Sequence, residues 1–117
     1  MPTIRDLVGV LRQREGVEAA VVLGRDGLLI DSDVQSTIDA ENMAALIPQV
    51  VAAGDDLGAH DGRGAVQTAI LEFAHGIAVI CVLNPDAILL VIAQPTANLG
   101  QLLFELRRNR ANIASLV

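Results

Sequence analysis

Residues 37–74 read TIDAENMAALIPQVVAAGDDLGAHDGRGAVQTAILEFA, and the fold turns on them. Asp39 to Leu57 has the marks of a long helix: Asp39 as N-cap, Glu41 in the first turn where the dipole favours an anion, then Met43, Leu46, Ile47, Val50, Val51 and Leu57 at helical spacing. Ala44, Ala45, Ala52, Ala53 and Gly54 fill the gaps, so the helix is apolar around most of its girth, with surface left over after one sheet is covered. Small residues near its end let another backbone approach closely. Pro48 removes one backbone hydrogen bond, at about 3 kcal/mol if uncompensated. One kinked helix is expected there rather than two short ones. Ala65 to Ala74 is a strand whose only charge is Glu72, with no Lys and no Pro to blunt an edge. Helix and strand both need a partner, and a second copy of the chain is the first candidate.

The rest of the chain arranges itself around that stretch. Thr3 and Asp6 resemble a capping box at the start of a first helix, with Asp in place of the usual Glu or Gln. Ile4, Leu7, Val8 and Leu11 form its stripe, and Gly16 ends it. Val17 to Leu23 is a strand, Gly24-Arg25-Asp26-Gly27 a turn, and Leu28 to Asp31 the returning strand. Ser32 to Ile38 reads as a polar connector and Gly58 to Gly64 as a loop. Ile77 to Leu83 and Ala87 to Ala93 are apolar on both faces, which marks central strands, joined by Asn84-Pro85-Asp86. Thr96 or Asn98 caps a third helix carrying Leu99, Leu102, Leu103, Leu106 and Ile113, with Arg107, Arg108 and Arg110 outside. The order is α-β-β-α-β-β-β-α: an α+β, three-layer α/β/α arrangement on a five-stranded antiparallel sheet. If the fifth strand lies beside the first, the third becomes an edge.

Composition narrows the function. At 117 residues the expectation is one domain spanning 1–117. Net charge is −6, every basic residue is arginine, and Phe73 and Phe104 are the only aromatics, which argues against nucleic acid as a partner. Scattered arginines argue against an anionic membrane surface, and the longest apolar run is too short to insert. No charged n-region with an apolar h-region opens the chain, so the expected location is cytoplasmic.

Candidate chemistry is thin. Arg25 at a hairpin tip has the form of an arginine finger, but a solvated turn residue is the expected reading. His60 and Asp61 lie in a glycine-rich loop, yet neither a phosphate-binding loop nor a second ligand at metal spacing accompanies them. Asp55-Asp56 reads as a solvated helix end, Cys81 as a small core hydrophobe and His75 as a turn residue. The arginines at 107, 108 and 110 could grip phosphate, but a dipole-friendly helix end accounts for them. No catalytic, metal or cofactor site is expected, and no enzyme.

The element order, the opening helix ending Glu15-Gly16-Val17, the hairpin Ala20 to Ile30, the helix after Asp39-Ala40-Glu41, Thr68-Ala69-Ile70-Leu71-Glu72, and Leu89 to Ala93 followed by Asn98-Leu99-Gly100 resemble the roadblock / dynein light chain family, in particular its single-domain bacterial members. The resemblance covers nearly the whole chain and implies a profilin/longin-like layered fold and a homodimer with a continuous sheet and paired second helices. It also implies a non-catalytic partner or regulator of a Ras-like small GTPase, as in the Mgl-type gliding regulators, where hydrolysis is stimulated without a supplied arginine finger. A dimeric structural adaptor is the alternative, and a small-molecule sensor a third. The dimer interface so implied comprises Met43, Leu46, Ile47, Val50, Gly54, Val66, Thr68, Ile70 and Glu72, and the GTPase-docking face Glu41, Ala45, Gln49, Ala52 and Asp56.

Overall fold

The computed structural model describes residues 2–117. Eight elements follow in the expected order: α1 (Ile4–Gln13), β1 (Val17–Gly24), β2 (Leu29–Val34), α2 (Ala40–His60), β3 (Thr68–Phe73), β4 (Gly76–Asn84), β5 (Ala87–Ala93) and α3 (Leu99–Ala114). The sheet order is β2-β1-β5-β4-β3, antiparallel throughout, so β5 does lie beside β1 and β3 is an edge.

Burial on both faces explains the continuous apolar runs of the central strands. On one face Val22, Val79, Leu89 and Val91 pack with Val8 and Leu11 of α1 and Leu102, Leu106 and Ile113 of α3. On the other, Val21, Leu23, Ile80, Ile88 and Leu90 pack with Ala44, Ile47 and Val51 of α2. Each helix is started by its own side chain. Thr3 and Asp6 close both halves of the capping box, Asp39 accepts from the Asn42 amide, and of the two N-cap candidates it is Asn98 that accepts from Gln101.

Pro48 lies inside α2 without ending it. Gly27, at φ +85°, sits against this spot: a Cβ there would lie 3.4 Å from Ala45 Cα and 3.5 Å from Pro48 Cγ. The hairpin tip thus packs onto the turn where proline has removed a donor. Three boundaries differ from the expectation. β2 does not end at Asp31, because Ser32, Asp33 and Val34 pair with Val21, Ala20 and Ala19. An edge strand tolerates polar side chains, and Arg5 pairs with Asp31 at 2.8 Å and Arg12 with Asp33 at 3.9 Å. α2 continues through Gly58, Ala59 and His60 rather than yielding to a loop at Gly58. β3 begins at Thr68 rather than Ala65. The connector is instead tied to the helix: the Val66 amide donates to Asp55 Oδ1 at 2.7 Å and the Arg63 amide to Gly58 O at 2.7 Å.

Candidate functional site

The sheet has two open edges, β2 and β3, and the β3 edge is the apolar one and lies beside the exposed outer side of α2. The two flanks of α2 are distinguished by what touches them. Gly27 of the first hairpin abuts Ala45 and Pro48 on one flank, while Val66, leading into β3, abuts Gly54 on the other. Met43, Leu46, Val50 and Leu57 fall at helical spacing on the β3 side, and Glu41, Ala45, Gln49, Ala52 and Asp56 on the hairpin side. The first stripe is apolar and open: Leu46 is 61% and Leu57 75% exposed. The second is small or polar, and all five of its residues are exposed.

At the sheet edge, Thr68, Ile70 and Glu72 lie on the α1/α3 face, opposite Cys81, Val79 and Ile77 of β4. Ala69, Leu71 and Phe73 share the α2 face, and Phe73 is 53% exposed. An apolar stripe on the helix and an apolar strand edge thus occupy the same side of the molecule, the usual mark of a protein–protein surface.

Several residues have other duties than the sequence assigned them. Ile47 is only 8% exposed and packs against its own sheet, because its helical position faces inward with Ala44 and Val51. Gly54 and Val66 meet each other: a Cβ on Gly54 would lie 2.5 Å from Val66 Cγ2, so the gap left by the glycine is filled by the same chain. Asp55 is no solvated helix end, since it accepts from the Val66 amide and pairs with Arg25 at 3.6 Å. Arg25 at the hairpin tip thus leans toward α2 while its side chain stays about 36% exposed.

Arg110 does not line the outside with Arg107 and Arg108. It folds over the start of β3 and donates to Gln67 Oε1 (2.9 Å), Gln67 O (3.2 Å) and Thr68 Oγ1 (2.7 Å). Arg63, Arg107, Arg110, Gln67 and Thr68 line a polar depression of about 580 Å³ there. Helical spacing would have flagged Leu57, eleven residues from Leu46 and hence on the same face. Arg110 left no such signal, since its contacts are 29, 42 and 43 residues away. Among the described residues no cluster of three His, Cys, Asp or Glu side chains is placed to hold a metal, and no helix is long and apolar enough to cross a membrane.

The comparisons agree with this architecture. An uncharacterised protein of Methanocaldococcus jannaschii is 28% identical over 106 residues, covering 91% of this chain and 92% of that one. MglB of Myxococcus xanthus superposes with a TM-score of 0.82 at 20% identity, over 92% of this chain and 88% of MglB. A Roadblock/LC7 domain from Streptomyces avermitilis gives 0.80 at 22% identity, over 92% and 90%. The sequence pattern of the Roadblock/LC7 domain itself matches residues 3–93, and the chain belongs to that family.

Proposed function

We propose that this chain is a non-catalytic homodimeric partner of a Ras-like small GTPase, acting as a GTPase-activating or effector-type co-regulator. The observation that carries the reading is the division of α2 into two open stripes. The apolar stripe of Met43, Leu46, Val50 and Leu57, continuous with the β3 edge, is the self-pairing surface. In a two-fold dimer the polar stripe of Glu41, Ala45, Gln49, Ala52 and Asp56 stays open on both copies and forms the docking face. The likeness to MglB and the family membership support a regulator of this type. On this reading any effect on turnover works by rearranging the GTPase's own residues, as the resemblance to the Mgl-type regulators implies, and the pairing of Arg25 with Asp55 is consistent with it.

The test is affinity capture from the source organism with GDP or a non-hydrolysable GTP analogue, followed by a turnover assay on the captured GTPase. Capture of a Ras-like GTPase only with the analogue, and its loss in Gln49→Arg, is the expected result. Capture of other proteins regardless of nucleotide would make the chain a dimeric adaptor instead.

A further inference from the structure

We infer that the dimer seam has one fixed register, with Ile70 on the two-fold axis and Arg110 of each subunit paired to Glu72 of the partner subunit. The inference rests on the homodimer proposed above and specifies its geometry.

The backbone narrows the choices first. Gln67 O accepts from Val82 N at 2.9 Å, and β3 pairs with β4 in the register Thr68 to Cys81 through Phe73 to Gly76. In an antiparallel ladder alternate residues turn both backbone groups to the same neighbour. The odd-numbered residues of β3 therefore face β4, while Thr68, Ile70 and Glu72 turn their amides and carbonyls to the open edge. A second copy added antiparallel pairs outward-facing residues with outward-facing residues. This keeps Thr68, Ile70 and Glu72 of both copies on one face of the joined sheet and both α2 helices on the other.

Among the registers that remain, the one centred on Ile70 places Thr68 opposite Glu72 and Ile70 opposite itself. All three outward residues of each strand are then paired. Centring on Ala69 leaves Glu72 opposite Val66, and centring on Leu71 leaves Thr68 opposite Ala74, both outside the strand. Centring on Glu72 sets two carboxylates face to face, which is destabilising.

Side-chain charge selects the same register independently. Arg110 Nη2 lies 2.7 Å from Thr68 Oγ1, and the acceptors of its Nη1 and Nη2 groups in its own chain are neutral. Among the described residues Arg110 enters no salt bridge, and neither does Glu72, which is exposed on the same sheet face at the other end of the strand. One edge thus carries an uncompensated cation at one end and an uncompensated anion at the other, a pattern complementary to itself under a two-fold axis. A side chain opposite Thr68 has its Cβ about 5 Å from that of Thr68, within reach of the guanidinium seated there.

Disulfide trapping and charge reversal test this. With Cys81→Ala as background, single variants Ala69→Cys, Ile70→Cys and Leu71→Cys are oxidised and run on non-reducing gels. Ile70→Cys should cross-link most completely, because the other two place their Cα atoms more than about 7 Å from their own copies. Sedimentation should then find the dimer dissociation constant raised about tenfold by Glu72→Arg, the size expected for losing two partly exposed charge pairs at once. Arg110→Glu should weaken it similarly, and the double variant should recover most of the loss. Arg110 also braces β3, so thermal melts of the single variants monitor folding, whereas recovery in the double variant requires the two charges to meet. A dimer that cross-links best at Ala69→Cys or Leu71→Cys, or a double variant no tighter than the singles, keeps the dimer and overturns the register. A wild-type chain that remains monomeric overturns both.

Discussion

Gly58 illustrates how a single missing side chain fixes local structure. It stands in the last turn of α2, and a Cβ added there would lie 2.1 Å from Gly64 O, a backbone atom that cannot swing aside. Gly64 itself has φ +87°, so the chain doubles back over the helix end at two positions only glycine suits. Gly58→Ala should therefore cost about 2–3 kcal/mol in urea unfolding at fixed protein concentration. A loss under about 0.5 kcal/mol would mean the loop moves away freely. Asp55 acts beside it, accepting from the Val66 amide and pairing with Arg25, so one carboxylate joins the hairpin tip, α2 and the lead-in to β3. Asp55→Ala leaves the Val66 amide without its partner and should cost about 1–3 kcal/mol by the same measurement. Neither role was legible in the sequence. The glycine looked like loop composition and the aspartate like surface charge, because both depend on which distant backbone crosses nearby.

At the scale of elements the sequence was far more informative, since helices and strands announce themselves through period and caps. The capping box at Thr3, the N-cap at Asp39, the two central strands and the β3 edge were all readable, because burial on both faces leaves a local apolar signature. The boundaries that differ are those where polar residues pair at an edge, as Ser32 and Asp33 do, where glycine continues a helix, as Gly58 does, or where a backbone amide is taken by a helix side chain, as at Val66. The open edge gives an element-level prediction that separates folding from assembly. Ile70 turns its amide away from β4, so Ile70→Pro removes no ladder hydrogen bond within the chain yet denies one to an added strand. The variant should keep the circular dichroism spectrum of the parent and sediment as a monomer. Leu46→Ala tests the helical half of the same surface: truncating a side chain 61% exposed in the isolated chain should leave its own core intact while weakening self-association by about 2 kcal/mol per subunit. A dimer unaffected by both changes would have to use another face.

For the whole molecule, the fold was legible because it follows from the pattern of apolar residues, which a sequence displays directly. Which apolar residues stay free of the chain's own core was less so. Ile47, Gly54 and Val66 are small or apolar like their neighbours, and only the placement of the sheet and of the connector shows that they are used internally. Pairing through β3 and α2 would make stability a property of two chains, with a consequence measurable without knowing the partner. If folded dimer converts to unfolded monomers, a tenfold rise in protein concentration raises the apparent unfolding free energy by about 1.4 kcal/mol. Spread over the unfolding entropy of two chains of 117 residues, that is a rise in Tm of about 3 °C. Ile70→Pro should abolish the dependence while retaining a cooperative transition, because α2 and β3 keep their contacts with the rest of the sheet. A wild-type Tm that does not move over two decades of concentration would leave Leu46, Leu57 and the β3 edge exposed in the free protein, and those surfaces would then have to be covered by the partner itself rather than by a second copy.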